Sequence, residues 1–250
     1  MIKRTAIVLS CLLAVVVSMG ASPPTDMQAD VISPVALYTE TGLSHVERRI
    51  RQAAVKVHTG LGHGSGSYLL IDGFHIVLTA QHVAEGPVGS VYTIQTPLDE
   101  HVAGRLVYAD EQLDVAAILI SPLKTRRPME FRPLTKMSEV GTVTAYAGYP
   151  SDFSMLSFRG MISGYEWVKK NTVHAIILNS YGWFGCSGSA VYDMEGSLVG
   201  ILWGVSVEPM WAQVQEDLLY LTPSHLIKKK KIIKGICVDS VPHPSRCNKL

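Results

Sequence analysis

Charge of one sign is missing from this chain: 22 lysines and arginines stand against 21 aspartates and glutamates, a formal net charge of +1. That balance excludes the electrostatic footprint of a nucleic-acid binder and any strong attraction to an anionic membrane surface. Metal-ligand spacing is missing too. The four cysteines and nine histidines contain no H-E-x-x-H and no paired C-x-x-C, so neither a metal site nor metal-dependent hydrolysis is expected. The glycines of Gly60-Leu-Gly-His-Gly-Ser-Gly66 follow one strand-like run and lead into another, with no helix to receive a phosphate, which excludes a P-loop or dinucleotide-binding turn. There is no repeat at solenoid spacing and no low-complexity tract. Charged residues are only 17% of the chain against 47% hydrophobic, so disorder over most of the length is excluded, and 250 residues suffice to bury a sizeable core.

One long apolar run is present, at the start. Lys3 and Arg4 precede the uncharged stretch Thr5 to Met19, and small residues follow around Gly20 and Ala21. Residues 1–21 are therefore predicted to be an export signal, placing the protein in the periplasm or outside the cell. The rival, an uncleaved anchor, is disfavoured because the run is short for a bilayer and Pro23 and Pro24 stop a helix soon after it. Signal removal takes two basic residues and no acid, leaving a nearly neutral chain with no stable membrane span. In an oxidising compartment Cys237 and Cys247 are candidates for a disulfide, with two free thiols as the alternative.

Residues 22–45, with Pro23, Pro24 and Pro34, read as a leader or linker. His45 to Ala53 is amphipathic and predicted helical. Short β-type runs follow: Ala54 to His58, Ser67 to Ile71, His75 to Thr79, Val91 to Gln95, Leu106 to Ala109 and Val115 to Ile120. After the Pro-containing segment 121–133 come Thr142 to Ala147, Met155 to Ser163, Thr172 to Leu178, Ala190 to Tyr192, Leu198 to Trp203 and Leu218 to Leu221. Two groups of about six strands flanking one linker suit barrels or sandwiches and not alternating βαβ units. Pro223 to Lys234 is predicted as a terminal helix stopped by Gly235, with Lys228 to Lys231 at its C-terminal end, where the helix dipole favours cations.

Three segments carry chemistry. In Val77-Leu-Thr-Ala-Gln-His82-Val an apolar strand delivers a histidine into a turn. In Leu113-Asp114-Val-Ala-Ala-Ile-Leu-Ile an acid opens a run that is apolar on both faces, where an unpaired carboxylate would be costly. Asp110 competes with it but lies outside the apolar run and reads as solvated. In Gly182-Trp-Phe-Gly185-Cys186-Ser187-Gly188-Ser189-Ala190 glycines flank a serine; such glycines permit tight turns that expose the hydroxyl and aim successive N–H groups at one point.

The order His, Asp, Ser resembles the trypsin-like (chymotrypsin-fold) serine proteases, and within them the Deg/high-temperature-requirement type. Gly64-Ser-Gly-Ser67, Leu78-Thr-Ala-Gln-His82-Val, Asp114-Val-Ala-Ala-Ile-Leu-Ile, Gly148-Tyr-Pro150, Gly185-Cys-Ser187-Gly and Gly196-Ser-Leu-Val-Gly-Ile201 stand in that family's order, over roughly residues 50–235. The resemblance implies an all-β fold of two six-stranded antiparallel barrels with a C-terminal helix. The protease domain would span 46–235, with barrel one about 46–125, barrel two about 130–222, the helix 223–234 and a tail 236–250. It implies a serine endopeptidase acting on polypeptides through an acyl-enzyme. Ser187 would be the nucleophile, His82 the base, Asp114 the residue that orients the base, and the backbone N–H groups of Gly185 and Ser187 the oxyanion hole. No cofactor is implied.

Cys186 is the main departure. Viral relatives use a cysteine nucleophile, but there it directly precedes the glycine, a place Ser187 holds here. By the same resemblance Tyr181 lies near the floor of the specificity pocket and Leu202-Trp203-Gly204 forms the edge strand that pairs with substrate. No acid stands at the floor, so apolar or modest-sized residues are expected before the cleaved bond. The tail is too short for the PDZ module that Deg enzymes usually carry. A catalytically silent binding protein of the same fold, a self-processing peptidase or an esterase remain the alternatives.

Overall fold

The computed structural model describes residues 40–168, 173–208, 213–239 and 247. The predicted signal 1–21, most of the leader and most of the tail lie outside the described residues. Helix α1, His45–Ala53, opens on a capping box: the Glu47 N–H donates to Ser44 Oγ at 3.2 Å and the Ser44 N–H to Glu47 Oε2 at 2.7 Å. Its apolar face, Val46, Ile50 and Ala53, packs on the main core.

The chain turns extended at Ala54 and enters the first barrel. Its strands are β1 (Ala54–His58), β2 (His63–Ile71), β3 (Phe74–Thr79), β4 (Val91–Gln95), β5 (His101–Asp110) and β6 (Val115–Ile120), in the order β1-β4-β5-β6-β3-β2, closed by β1 against β2. A two-residue strand, β7 (Met129–Glu130), adds in parallel to β2 outside the six. Between β2 and β3 the turn is Asp72-Gly73, both at positive φ (48° and 81°), the geometry a two-residue hairpin needs and Asp-Gly supplies. The second barrel comprises β8 (Val143–Gly148), β9 (Leu156–Val168), β10 (Val173–Asn179), β11 (Ala190–Asp193), β12 (Leu198–Glu208) and β13 (Gln213–Pro223), closed in the order β10-β13-β12-β11-β8-β9. The predicted architecture is thus the observed one.

Central strands read as continuous apolar runs because both of their faces are covered. In β6, Ala116, Ile118 and Ile120 enter the interior of barrel one with Val57, Tyr68 and Ile94, whereas Val115 and Ala117 enter a second core with Leu69 and Ile76 of the same barrel and Tyr192 and Ile201 of the other. Strand periodicity of two sends alternate side chains to the two cores. Barrel two fills its own interior with Tyr146, Ile162, Ile176, Val191 and Leu219. Observed strands outrun the predicted runs chiefly in the solvent-facing hairpin arms of β5, β9, β12 and β13, which carry little apolar pattern.

The terminal helix requires a correction. Residues 223–234 do not form it: β13 continues through Pro223, paired with Gly200, a 3-10 turn covers Ser224–Leu226, and helix α2 is Lys229–Asp239. Barrel closure demands the longer β13, which delays the helix. Gly235 therefore lies inside α2 and is not its stop. A Cβ there would sit 1.9 Å from the Val107 carbonyl oxygen, so glycine lets α2 pack against β5. The lysines also change ends, falling in the first turn where the dipole disfavours them; Lys229 meets Asp72 at 2.6 Å and Lys231 meets Asp110 at 3.8 Å. Cys237, buried on α2, is disulfide-bonded to Cys247 with Cα atoms 5.6 Å apart. Among the described residues no helix is long and apolar enough to cross a membrane.

Candidate active site

Strand β3 ends at Thr79, and the chain makes one tight turn, with Val83 N–H donating to Ala80 O at 3.2 Å, that presents His82. Asp114 stands just before β6 at φ 51°, a left-handed conformation that Asp tolerates better than most residues. Its two carboxylate oxygens grip the same residue: Oδ2 lies 2.8 Å from His82 Nδ1, and Oδ1 accepts the His82 main-chain N–H at 2.9 Å. Burial pushes the Asp114 carboxyl up, but the hydrogen bonds and charge of His82 outweigh it and hold the group below the usual carboxylate range. With Nδ1 committed to the carboxylate as donor, the lone pair of the ring falls on Nε2. Thr222 Oγ1 donates to the Leu113 carbonyl, tying this turn to barrel two. Asp110, read as solvated from sequence, is instead largely buried: it accepts from Leu113 N–H at 3.1 Å and from the Tyr108 hydroxyl at 2.9 Å, shaping the turn that holds Asp114.

Ser187 sits in a turn whose two glycines, Gly185 and Gly188, take φ of 94° and 92°. Side chains are excluded at both. A Cβ on Gly188 would lie 2.1 Å from Ser65 O and 3.0 Å from the main-chain N of Ala80, two residues before His82. Ser65 N–H donates to the Ser187 carbonyl at 2.8 Å, and Gly188 N–H to Leu202 O at 2.7 Å. These contacts wedge the serine turn between β2, β12 and the His82 turn. Among the described residues no hydrogen bond joins Ser187 Oγ to His82. Cys186 turns the other way, fully buried in the core of barrel two, and burial pushes its thiol up, the setting of an inert cysteine.

The N–H groups of Gly185 and Ser187 donate to no acceptor among the described residues. Their directions follow from the carbonyls that share their peptide planes. Phe184 O accepts from Ser151 N–H at 2.7 Å, and Cys186 O from Ser189 N–H at 3.0 Å; a trans peptide points its N–H opposite to its carbonyl. Both N–H groups are therefore turned away from those partners and left unpaired.

Residues 64–201 match the family model described as a trypsin-like peptidase domain, more than half of the chain. The chain belongs to that family. Its fold is similar to the serine endoprotease from Yersinia pestis (21% identity, TM-score 0.59, over 76% of this chain and 66% of that one). It is also similar to Rv3671c from M. tuberculosis H37Rv in a mutant, inactive form (14%, 0.58, over 80% and 92%) and to the Rv3671c protease in an inactive form (17%, 0.57, over 72% and 87%). At these identities the likeness is one of fold. No curated protein sequence matches the chain.

Of the remaining predicted residues of this trypsin-like peptidase, Leu202 is the one hydrogen-bonded to the serine turn among the described residues. Tyr181 is half-exposed, stacked on Phe158 with centroids 5.6 Å apart, and its carbonyl accepts from the Tyr146 hydroxyl. Leu202 is buried behind the turn, its N–H donating to Ser189 O at 3.0 Å. Trp203 stacks on Tyr220 at 5.2 Å, and the Cα of Gly204 faces open space. Two contributors escaped the sequence reading. Leu219 packs so closely that its Cδ2 would lie 2.5 Å from a Cβ on Gly182, and Ser65 bonds to the serine turn with both main chain and side chain. The Gly64-Ser-Gly-Ser67 string marked the second region but not its role. No group of three or more His, Cys, Asp or Glu gathers as a metal site among the described residues.

Proposed function

We propose that the chain is an exported serine endopeptidase working through His82, Asp114 and Ser187 and an acyl-enzyme. The observation that carries this reading is the double grip of Asp114 on His82, at 2.8 Å to the ring and 2.9 Å to the main chain. It holds the imidazole in the tautomer with a basic Nε2 and stabilises the imidazolium once formed. Ser187 Oγ gives its proton to Nε2 while attacking the scissile carbonyl. The N–H groups of Gly185 and Ser187 take the developing oxyanion, each worth about 3 to 4 kcal/mol in comparable sites. Collapse breaks the C–N bond, His82 returns the proton to the leaving amine, and water, deprotonated by the same ring, hydrolyses the acyl-enzyme. No step needs a metal or cofactor. Substrate backbone pairs with the Trp203–Gly204 part of the predicted edge, the main-chain groups of Leu202 being taken by the serine turn, and Tyr181, Gly182 and Leu219 favour an apolar side chain before the cut.

The missing Ser187–His82 hydrogen bond is the observation that favours the alternative, a silent protease-fold binding protein. Such bonds are commonly long or poorly aligned before substrate binds, so the reading does not require one in the free chain. A fluorophosphonate probe on the wild-type chain and on Ser187→Ala, His82→Ala and Asp114→Asn separates the two. Labelling at Ser187 alone, lost in Ser187→Ala and slowed in the others, is expected together with casein cleavage. An unlabelled wild type, or labelling that persists in Ser187→Ala, overturns the reading.

A further inference from the structure

We infer that Ser65 is a positioning residue for the oxyanion hole, an assignment that rests on the function proposed above. Ser65 lies in β2 and is fully buried. Its three polar groups hold four different residues. The N–H donates to Ser187 O at 2.8 Å, and the carbonyl accepts from Thr79 Oγ1 at 2.7 Å. The hydroxyl bridges: it donates to Gly185 O at 2.7 Å and accepts from Tyr149 N–H at 2.9 Å. One side chain of barrel one thus ties a hole residue to the segment that supports it.

The need for such a tie follows from Gly185. A glycine at positive φ has nothing of its own to stop its flanking peptides from rotating. The peptide on its N-terminal side carries the hole donor and is held by Ser151 N–H on Phe184 O at 2.7 Å. The peptide on its C-terminal side is held at both ends, by the Ser65 hydroxyl on Gly185 O at 2.7 Å and by Cys186 N–H on Trp183 O at 2.9 Å. Ser151 adopts φ 47°, a strained conformation for a serine that surrounding structure must enforce. The enforcement comes from Tyr149, whose N–H is bound by Ser65 Oγ and whose carbonyl lies 3.1 Å from His63 Nε2. A Cβ on Gly185 would lie 2.3 Å from that same carbonyl, so the Tyr149–Ser151 segment is pressed against the hole. Loss of the one hydroxyl removes the hold on the carbonyl end of the peptide after Gly185, leaving only its N–H on Trp183 O, and loosens the segment that fixes the peptide before it.

The hydroxyl belongs neither to the nucleophile nor to the substrate-binding edge, so its effect falls on the charged transition state and not on ground-state binding. In the full chain, Ser65→Ala is expected to lower kcat on a peptide amide by roughly ten- to a hundredfold with KM unchanged. Affinity for a peptide boronate, which forms a tetrahedral adduct, should fall by the same factor, and affinity for the acyl-side peptide capped as a neutral primary amide should hold. Unchanged kcat, or a rise in KM with boronate affinity preserved, overturns the assignment. Should Ser65→Ala fail to fold by circular dichroism, Ser65→Cys decides: it fills the same space with a weaker donor, so a partial kcat loss supports the clamp and wild-type kcat refutes it. A wild-type chain that fluorophosphonate does not label overturns the peptidase reading and this assignment with it. A labelled wild type with unaltered Ser65 variants overturns this assignment alone.

Discussion

Glu47 joins α1 to barrel two, and its removal is measurable in acid. Its carboxylate caps α1 through Ser44 and receives Arg159 of β9 at 2.5 Å (Nε to Oε1) and 2.7 Å (Nη2 to Oε2). The Arg159 hydrogen bond is the main cause that holds the Glu47 carboxyl at about 2, below an ordinary 4.5, against the opposing pull of burial. A carboxyl depressed in the fold contributes stability that is present above its unfolded value and is lost as pH falls through the folded one. At 1.36 kcal/mol per pH unit the depression corresponds to about 3 kcal/mol at neutral pH. The Arg159 side chain is 59% exposed, and solvent screening brings the expected contribution of Glu47 to about 1–2 kcal/mol. Glu47→Gln keeps a group able to complete the capping box and removes the charge. Urea titrations at pH 7 and at intervals down to pH 2 should show the variant less stable by that amount at pH 7, the difference vanishing between pH 5 and 2. Wild type and variant losing stability in parallel over that window would refute the reasoning.

Gly188→Ala places a Cβ at φ 92° against Ser65 O and Thr79 Oγ1; displacement of the turn by about an ångström should cost roughly a hundredfold in fluorophosphonate labelling rate. Gly235→Ala meets the Val107 carbonyl and is expected to destabilise by about 3 kcal/mol in denaturant titration with the labelling rate per folded molecule unchanged. Cys186, buried with its thiol pushed up, should resist iodoacetamide at pH 8 in the native chain and react on unfolding, and Cys186→Ala should keep its activity. Breaking the Cys237–Cys247 bridge with Cys247→Ser should cost about 3 kcal/mol in the chain-entropy account, read as a lower denaturant midpoint.

The sequence alone determined the helix His45–Ala53 and the strands Ala54–His58, Val91–Gln95 and Val115–Ile120 to the residue, because burial imposes a local period that apolar side chains record. It also singled out His82, Asp114 and Ser187, since a histidine after a rigid strand, an acid opening an apolar run and a serine between glycines are each local arrangements. What it could not determine were facts that depend on a partner far along the chain. Pro223 reads as a helix start until Gly200 pairs with it. Gly235 reads as a helix stop until Val107 of β5 presses on it, and Asp110 reads as solvated until Tyr108 and Leu113 bond to it. Ser65 is one small residue in a glycine-rich string until residue 185 arrives beside it, 120 positions later. Periodicity is written in neighbours a few residues apart; a bridging hydroxyl or a glycine kept bare for an approaching backbone is defined only when the two barrels meet.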